Sequence, residues 1–325
     1  MKKLVYCGVI DDYKNKNTIW ISWNITYKCN YNCHYCLIVN ERNEKFNKDV
    51  YKDVIDYVDK KSKNYERVIF TWTGGDPSII NESDLIEMLQ YMKEKLDSNK
   101  IIFRYQTNLS NSVNYYSNIW KILENFNIKI SPTLHLTTDI DSFKYKINQM
   151  INVPIEMDIR VPIPYGYEEE SIERYRDLES FDENSNIVVI PKYILEFDDI
   201  EPDYMKFILE ENKKKIPKHG DYLLYDVIIY DDERDTYKKE KWNRDMFVYY
   251  LRDTRNNKYK KEYMLCDMSR NKEITPDNKI YKCPIDENIT QDNYLCDKPY
   301  RICCNQVSKI DINHIEKVKE IINEC

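Results

Sequence analysis

Cys29-Asn30-Tyr31-Asn32-Cys33-His34-Tyr35-Cys36 follows directly on the apolar run Ile19–Ile25, which reads as a strand. A closed structural zinc site is four-coordinate, so three thiolates fall one short of it. They do suffice for three irons of a four-iron cluster, with the fourth iron open to a ligand. Nothing nearby makes a comfortable fourth ligand. His34 is adjacent to Cys33, and its ring would have to fold back on its own backbone.

Outward from this loop, extended and helical runs alternate as far as about Tyr193. The spacing predicts strands over Ile19–Thr26, Arg67–Thr73, Ile101–Thr107, Ile128–His135, Ile155–Val161 and Ile187–Ile190. Between them it predicts helices over Lys48–Lys61, Glu82–Leu96, Asn114–Glu124, Ile140–Met150 and Glu169–Leu178. Val50, Val54, Ile55 and Val58 form the stripe of a helix lying on a sheet. Ser83-Asp84 and Asp139 stand where N-caps belong. Strict β/α alternation implies a parallel sheet with right-handed crossovers. Buried parallel strands usually read as continuous apolar runs, whereas several of these alternate. Arg104, Gln106 and Asn108 share one face, as do Glu156, Asp158 and Arg160, and Ser131, Thr133, His135 and Thr137. The apolar side then meets the helices, and the polar side lines a concavity wide enough for ligands.

The spacing C-x3-C-x2-C, with an aromatic residue (Tyr35) before the last cysteine, resembles the signature of the radical SAM enzymes. The resemblance implies a partial (β/α)6 TIM-type barrel, in agreement with the six strands. It also implies a 4Fe-4S cluster on Cys29, Cys33 and Cys36 whose open iron binds S-adenosylmethionine. Reductive cleavage of that cofactor, by an external electron donor such as flavodoxin or ferredoxin, gives a 5′-deoxyadenosyl radical that abstracts a substrate hydrogen. Ligands bind at the carboxyl ends of parallel strands, and the cysteine loop follows the first of them. The second ends in Thr73-Gly74-Gly75-Asp76-Pro77, similar to the family's Gly-Gly-Glu-Pro segment, which receives the methionyl ammonium. Paired glycines let a backbone approach a ligand closely; alone the segment reads as an ordinary turn, and its place about forty residues after the cysteine loop, at a strand's carboxyl end, favours the ligand reading. By the same resemblance Asn108 lies near the cofactor or substrate, unless Thr107-Asn108 is merely a strand-end turn. Thr133 falls where relatives have a serine near the cofactor carboxylate. Arg160 either pairs with that carboxylate or makes a salt bridge to Asp158 or Glu156. His135 is either a donor in the cavity or a satisfied interior polar group.

Ten cysteines without a secretion signal point to metal ligation in a reducing, cytoplasmic setting. None lies between residues 37 and 265, and Cys266, Cys283, Cys296, Cys303 and Cys304 form a second group. Pro276-Asp277-Asn278 is a turn signal, and Ile280-Tyr281 after it suggests a hairpin delivering Cys283. This resembles the SPASM and twitch auxiliary-cluster domains, with Asn278 at the position of their hairpin glycine. The resemblance implies one auxiliary 4Fe-4S cluster on this group, with Cys266 and Cys283 foremost. Four thiolates suit structural zinc as well. Residues 1–195 are thus expected to form the barrel core, 196–260 a connecting segment and 261–325 the cysteine-rich domain. Helices are expected over Glu201–Asn212 and Ile312–Asn323, a strand over Tyr222–Tyr230, and a solvated loop or helix edge over Asp231–Arg244.

With 56 acidic against 49 basic residues the net charge is −7, which argues against phosphate-driven nucleic-acid binding. No apolar run approaches a membrane span. Met1–Ile10 is broken by Asp11-Asp12 before any cleavage-like site, so no signal peptide is expected there. The substrate is expected to be a peptide or protein side chain, with a sugar, nucleoside or amino acid as the alternative. Only 28 residues precede Cys29, so a leader-binding function is expected to reside in a separate protein or to be absent. A non-catalytic iron–sulfur electron carrier, or a scaffold binding S-adenosylmethionine without turnover, is the remaining reading.

Overall fold

The computed structural model describes residues 2–8, 17–36, 45–153, 155–194, 202–215, 225–242, 264–267, 271–281, 293–296 and 308–324. Six strands run parallel in consecutive order: β2 (Thr18–Thr26), β3 (Arg67–Gly74), β4 (Ile101–Thr107), β5 (Asn127–Pro132), β6 (Glu156–Ile163) and β7 (Ile187–Tyr193). Five helices follow the first five of them: α1 (Tyr51–Ser62), α2 (Glu82–Lys95), α3 (Val113–Ile122), α4 (Ile140–Met150) and α5 (Glu168–Leu178). This is the expected α/β architecture, a partial barrel built of β/α units.

Apolar stripes fix the helices on the sheet. Val54, Ile55 and Val58 of α1 are buried, as are Leu85, Met88, Leu89 and Met92 of α2 and Phe143, Ile147 and Met150 of α4. They cover an aromatic layer on the strands, where Trp72 meets Trp23 edge-on at 5.7 Å and Phe103 at 5.0 Å. Asp139 caps α4 as expected, accepting from Ser142 N. For α2 the cap is Asn81, not Ser83-Asp84: its side chain accepts from Asp84 N at 2.9 Å, one turn inside the helix.

The opposite face of the sheet is polar. Register sets Thr71 beside Arg104 and Arg104 beside Lys129. Lys129 Nζ lies 3.0 Å from Asp158 Oδ1, and Arg104 Nη2 lies 3.7 Å from Asp158 Oδ2, all three side chains at most 5% exposed. Protein charge therefore fills this level of the concavity. Nearer the carboxyl ends Thr73 Oγ1 donates to Gln106 Oε1 at 2.8 Å. A buried ion cluster is costly to desolvate, and this one lies below the ligand end of the barrel.

The chain divides into two compact units, Thr18–Tyr204 with Glu273–Ile280, and Met1–Asn17 with Met205–Lys272 and Tyr281–Cys325. Both departures from the expected 1–195, 196–260 and 261–325 have a cause in strand pairing. β1 (Lys2–Gly8) pairs with β8 (Tyr225–Asp231) and β14 (Ser308–Asp311), so the first residues belong to the second unit. The hairpin of β11 (Asn271–Ile274) and β12 (Ile280–Tyr281) continues the parallel sheet beside β2. Asn278 adopts φ 64°, the left-handed conformation expected of it, and Thr275 N donates to Lys279 O across the turn.

The second unit holds a six-stranded sheet in the order β13 (Asn293–Cys296), β10 (Met264–Asp267), β14, β1, β8 and β9 (Thr236–Trp242). Val5 and Ile228 pack there with Val318 and Ile322 of α7 (Ile315–Glu324). The segment expected as a loop or helix edge, 231–244, instead contains β9. Its run of Lys and Glu suits an edge strand, where charge discourages further pairing. α6 (Pro202–Lys215) takes the place of the expected Glu201–Asn212 helix. Among the described residues no helix is long and apolar enough to cross a membrane.

Candidate functional site

The cysteine loop leaves β2 at Thr26 and is braced by the end of β3. Gly75 N donates to Thr26 O at 2.7 Å, and Asp76 N donates to Lys28 O at 2.9 Å. These contacts explain the glycine pair differently from the sequence reading. A Cβ at Gly75 would fall 1.9 Å from Lys28 O, and one at Gly74, whose φ is +114°, would fall 2.2 Å from Thr26 O. The group that approaches the glycines is the chain's own backbone, one residue before Cys29.

Asp76 is buried, and its carboxylate is already engaged. It accepts from Ser78 N (2.7 Å), Asn108 N (2.6 Å) and Thr107 Oγ1 (3.1 Å). Burial raises its pKa against the opposing pull of these donors. Asp76 thus clamps the carboxyl end of β3 to that of β4. Asn108, positioned by the clamp, donates through Nδ2 to Asn30 Oδ1 at 2.7 Å and to Cys29 Sγ at 3.7 Å. Removing the carboxylate strands several buried donors at about 1–3 kcal/mol each. Asp76→Ala is therefore expected to lower the denaturation midpoint and loosen Asn108 from the loop. Chemical denaturation reads the first effect and iron retention the second; a variant matching wild type in both would show the clamp to be idle.

Around the thiols, Cys36 N donates to Cys33 O, closing a turn, and Tyr31 N donates to Cys29 Sγ at 3.3 Å. Cys33 is buried, while Cys29 and Cys36 are half-buried. Burial raises the Cys29 pKa, with the Tyr31 N–H opposing it. The ring of His34 lies against Tyr35 and Tyr167, with centroids at 5.0 and 5.2 Å. His135, for which the sequence left two readings open, reaches the loop itself. Its Nδ1 stands 2.8 Å from Tyr35 Oη and 3.4 Å from Cys33 Sγ. Burial pushes its pKa down to about 4.

Among the described residues, no three His, Cys, Asp or Glu side chains converge as a single ion requires. The donor set fits a cluster on two observations: three thiols of one short loop serve three separate irons, and the Cys29 sulfur is already faced by two N–H donors.

Thr133 and Arg160 meet across β5 and β6 in a single parallel bridge. Thr133 N donates to Thr107 O, and Arg160 Nη2 lies 3.5 Å from Ser131 Oγ. The carboxylates offered as alternative partners for Arg160 are engaged elsewhere, Asp158 by Lys129 and Arg104, and Glu156 by Lys129. Cys266 and Cys296 lie on paired strands, with Cys266 opposite Tyr294 and Met264 opposite Cys296. Cys283, Cys303 and Cys304 lie outside the described residues. Lys129, Asn30 and Tyr31 went unmarked in the sequence reading. Lys129 alone carried a signal, as a charge within the apolar run of β5.

Residues 18–152 match the family model of a 4Fe-4S single cluster domain, and the match takes in the Cys29–Cys36 loop. No curated protein sequence matches the chain. Among solved structures the chain is similar to native anSMEcpe with bound AdoMet and Kp18Cys peptide, at 11% identity over 88% of this chain and 78% of that one, TM-score 0.53. It is similar to Streptococcus suis SuiB bound to precursor peptide SuiA, at 13% identity over 89% of this chain and 65% of that one, TM-score 0.50. Against anSMEcpe with AdoMet and Cp18Cys peptide the match takes in 62% of this chain and 61% of that one at 10% identity, TM-score 0.46. The chain thus spans about three fifths of that relative's length. The likeness is one of fold.

Proposed function

We propose that this chain, which has the partial-barrel fold of the radical SAM enzymes, is itself such an enzyme and modifies a peptide or protein side chain. One observation carries the reading. Three cysteines, and no more, stand in a braced loop at the carboxyl end of the first parallel strand, where barrel folds place their ligands. When bound, a four-iron cluster with S-adenosylmethionine on its open iron supplies reductive cleavage of the sulfonium and a 5′-deoxyadenosyl radical for hydrogen abstraction.

The chain's own residues divide the work of binding and orientation. Cys29, Cys33 and Cys36 hold the cluster, and Tyr31 N and Asn108 Nδ2 donate to the Cys29 sulfur. The amides of Gly75 and Asp76 are spent on Thr26 and Lys28. What Thr73, Gly74 and Gly75 offer the cofactor ammonium is therefore oxygen, from carbonyls and the Thr73 hydroxyl. Asp76 acts indirectly by positioning this segment. Arg160 and Thr133, at the end of the polar row, serve the cofactor carboxylate, and Tyr35 closes the cofactor side of the loop.

The peptide assignment is supported by the two similar structures, both of which contain bound peptides. Cys266, Cys283, Cys296, Cys303 and Cys304 supply the ligands of one auxiliary cluster, which accepts an electron from the substrate or anchors it. An external flavodoxin or ferredoxin supplies the reducing electron, and the protein works in the cytoplasm.

The test is anaerobic incubation of the reconstituted, dithionite-reduced chain with S-adenosylmethionine. Formation of 5′-deoxyadenosine and methionine is expected. A chain that binds iron and S-adenosylmethionine but releases neither product is a carrier or a scaffold, and the proposal fails.

A further inference from the structure

His135 follows β5, 102 positions from Cys33 in sequence, yet its imidazole meets both Tyr35 and Cys33. The His135 and Tyr35 rings are stacked with centroids 5.9 Å apart, and Tyr31 meets His135 edge-on at 5.8 Å. The backbone under His135 is tied down on both sides. Leu134 N donates to Arg160 O at 2.9 Å, and Thr138 N donates to His135 O at 3.0 Å. The Arg174 guanidinium donates to the carbonyls of His135 (3.3 Å) and Thr138 (2.9 Å). Tyr35 is buried.

A cysteine that ligates iron is a thiolate and only accepts hydrogen bonds. With Cys33 ionised, one arrangement gives His135 Nδ1, Tyr35 Oη and Cys33 Sγ a partner each. The proton sits on His135 Nδ1 and is donated to Tyr35 Oη at 2.8 Å. The Tyr35 O–H then turns to Cys33 Sγ. A stacked ring pair spanning from β5 to the cysteine loop is more than a histidine satisfied in an interior, because its free hydrogen-bonding capacity ends on a sulfur.

We propose that Tyr35 and His135 form a donor pair to the Cys33 thiolate that sets the reduction potential of the cluster, an inference that rests on the cluster reading above. Donors to a ligating sulfur withdraw charge from it and favour the reduced, more negative cluster. Loss of the donors makes the cluster harder to reduce. Both residues are positioning residues, since they act through Cys33.

The test uses the anaerobically reconstituted full chain as wild type, Tyr35→Phe and His135→Phe. Iron content is measured, and the midpoint is read from the EPR signal that S-adenosylmethionine perturbs. The expected result is unchanged iron and a negative shift of the midpoint in each variant. Tyr35→Phe deletes a single oxygen and keeps the stacked ring, so it reads the hydrogen bond without the packing. Midpoints equal to wild type in both variants overturn the inference and leave the cluster reading standing. Loss of iron in both variants also overturns it, since the pair then serves retention. A wild-type chain that binds no iron overturns the cluster reading itself, and this inference with it.

Discussion

Replacing Cys29, Cys33 and Cys36 together by Ala is expected to remove about four irons per chain and abolish 5′-deoxyadenosine formation. The loop offers no substitute ligand. His34 is engaged with Tyr35 and Tyr167, and His135 is held by Tyr35 and by the turn to Thr138. Retained cleavage of S-adenosylmethionine in the triple variant would sink the proposed function. The same variant separates the two proposed metal centres. The second group of cysteines begins at Cys266, and β10 and β13, which carry Cys266 and Cys296, belong to the other compact unit. A C-terminal cluster should therefore survive, leaving the triple variant brown with about four irons. Further change of Cys266 and Cys283 should bleach it. A colourless triple variant with one zinc per chain would assign those thiolates to a structural zinc site and remove the electron-acceptor role, with the radical chemistry untouched.

Gly75→Val is expected to cost the protein both its cluster and its cofactor binding. If the glycine merely left room for a ligand, a side chain there would weaken S-adenosylmethionine binding and leave iron unchanged. The contact at Gly75 is instead with the carbonyl of Lys28, 1.9 Å from where the Cβ would lie, with Lys28 C at 2.4 Å. That overlap is with backbone, which has no rotamer to escape into, so the β3 end or the Lys28–Cys29 peptide must move. The hydrogen bonds from Gly75 N to Thr26 O and from Asp76 N to Lys28 O go with it. Iron content after reconstitution and the S-adenosylmethionine-induced change in the EPR signal should fall together. Full iron loading with weakened cofactor binding would restore the ligand-approach reading.

Local pattern carried much of this protein into view. Period-two alternation and 3.6-residue stripes located all six parallel strands and the helices between them, with Ile101–Thr107 and Ile140–Met150 matching the sequence expectation at both ends. Asn278 announced its left-handed backbone by residue type within a turn signal. The cysteine loop declared itself by spacing, because three ligands in one short segment need no long-range folding to be brought together. Where the sequence misled, the deciding interaction was distant. β9 reads as a charged loop until β8 pairs with it. Met1–Asn17 reads as the start of the barrel until β1 enters the other sheet.

The sequence by itself determined the fold class, the polar face of the sheet and the three thiols, since each follows from residues close in the chain whose periodicity or spacing has few physical solutions. Tertiary structure alone decided what surrounds those thiols. Asn108 reaches Cys29 across 79 positions, and His135 reaches Cys33 across 102. Asp76 clamps the end of β3 to that of β4, which parallel pairing sets side by side. The glycine pair changed meaning for the same reason. Its neighbour in space is the carboxyl end of β2, which only the β2–β3 register brings within van der Waals contact.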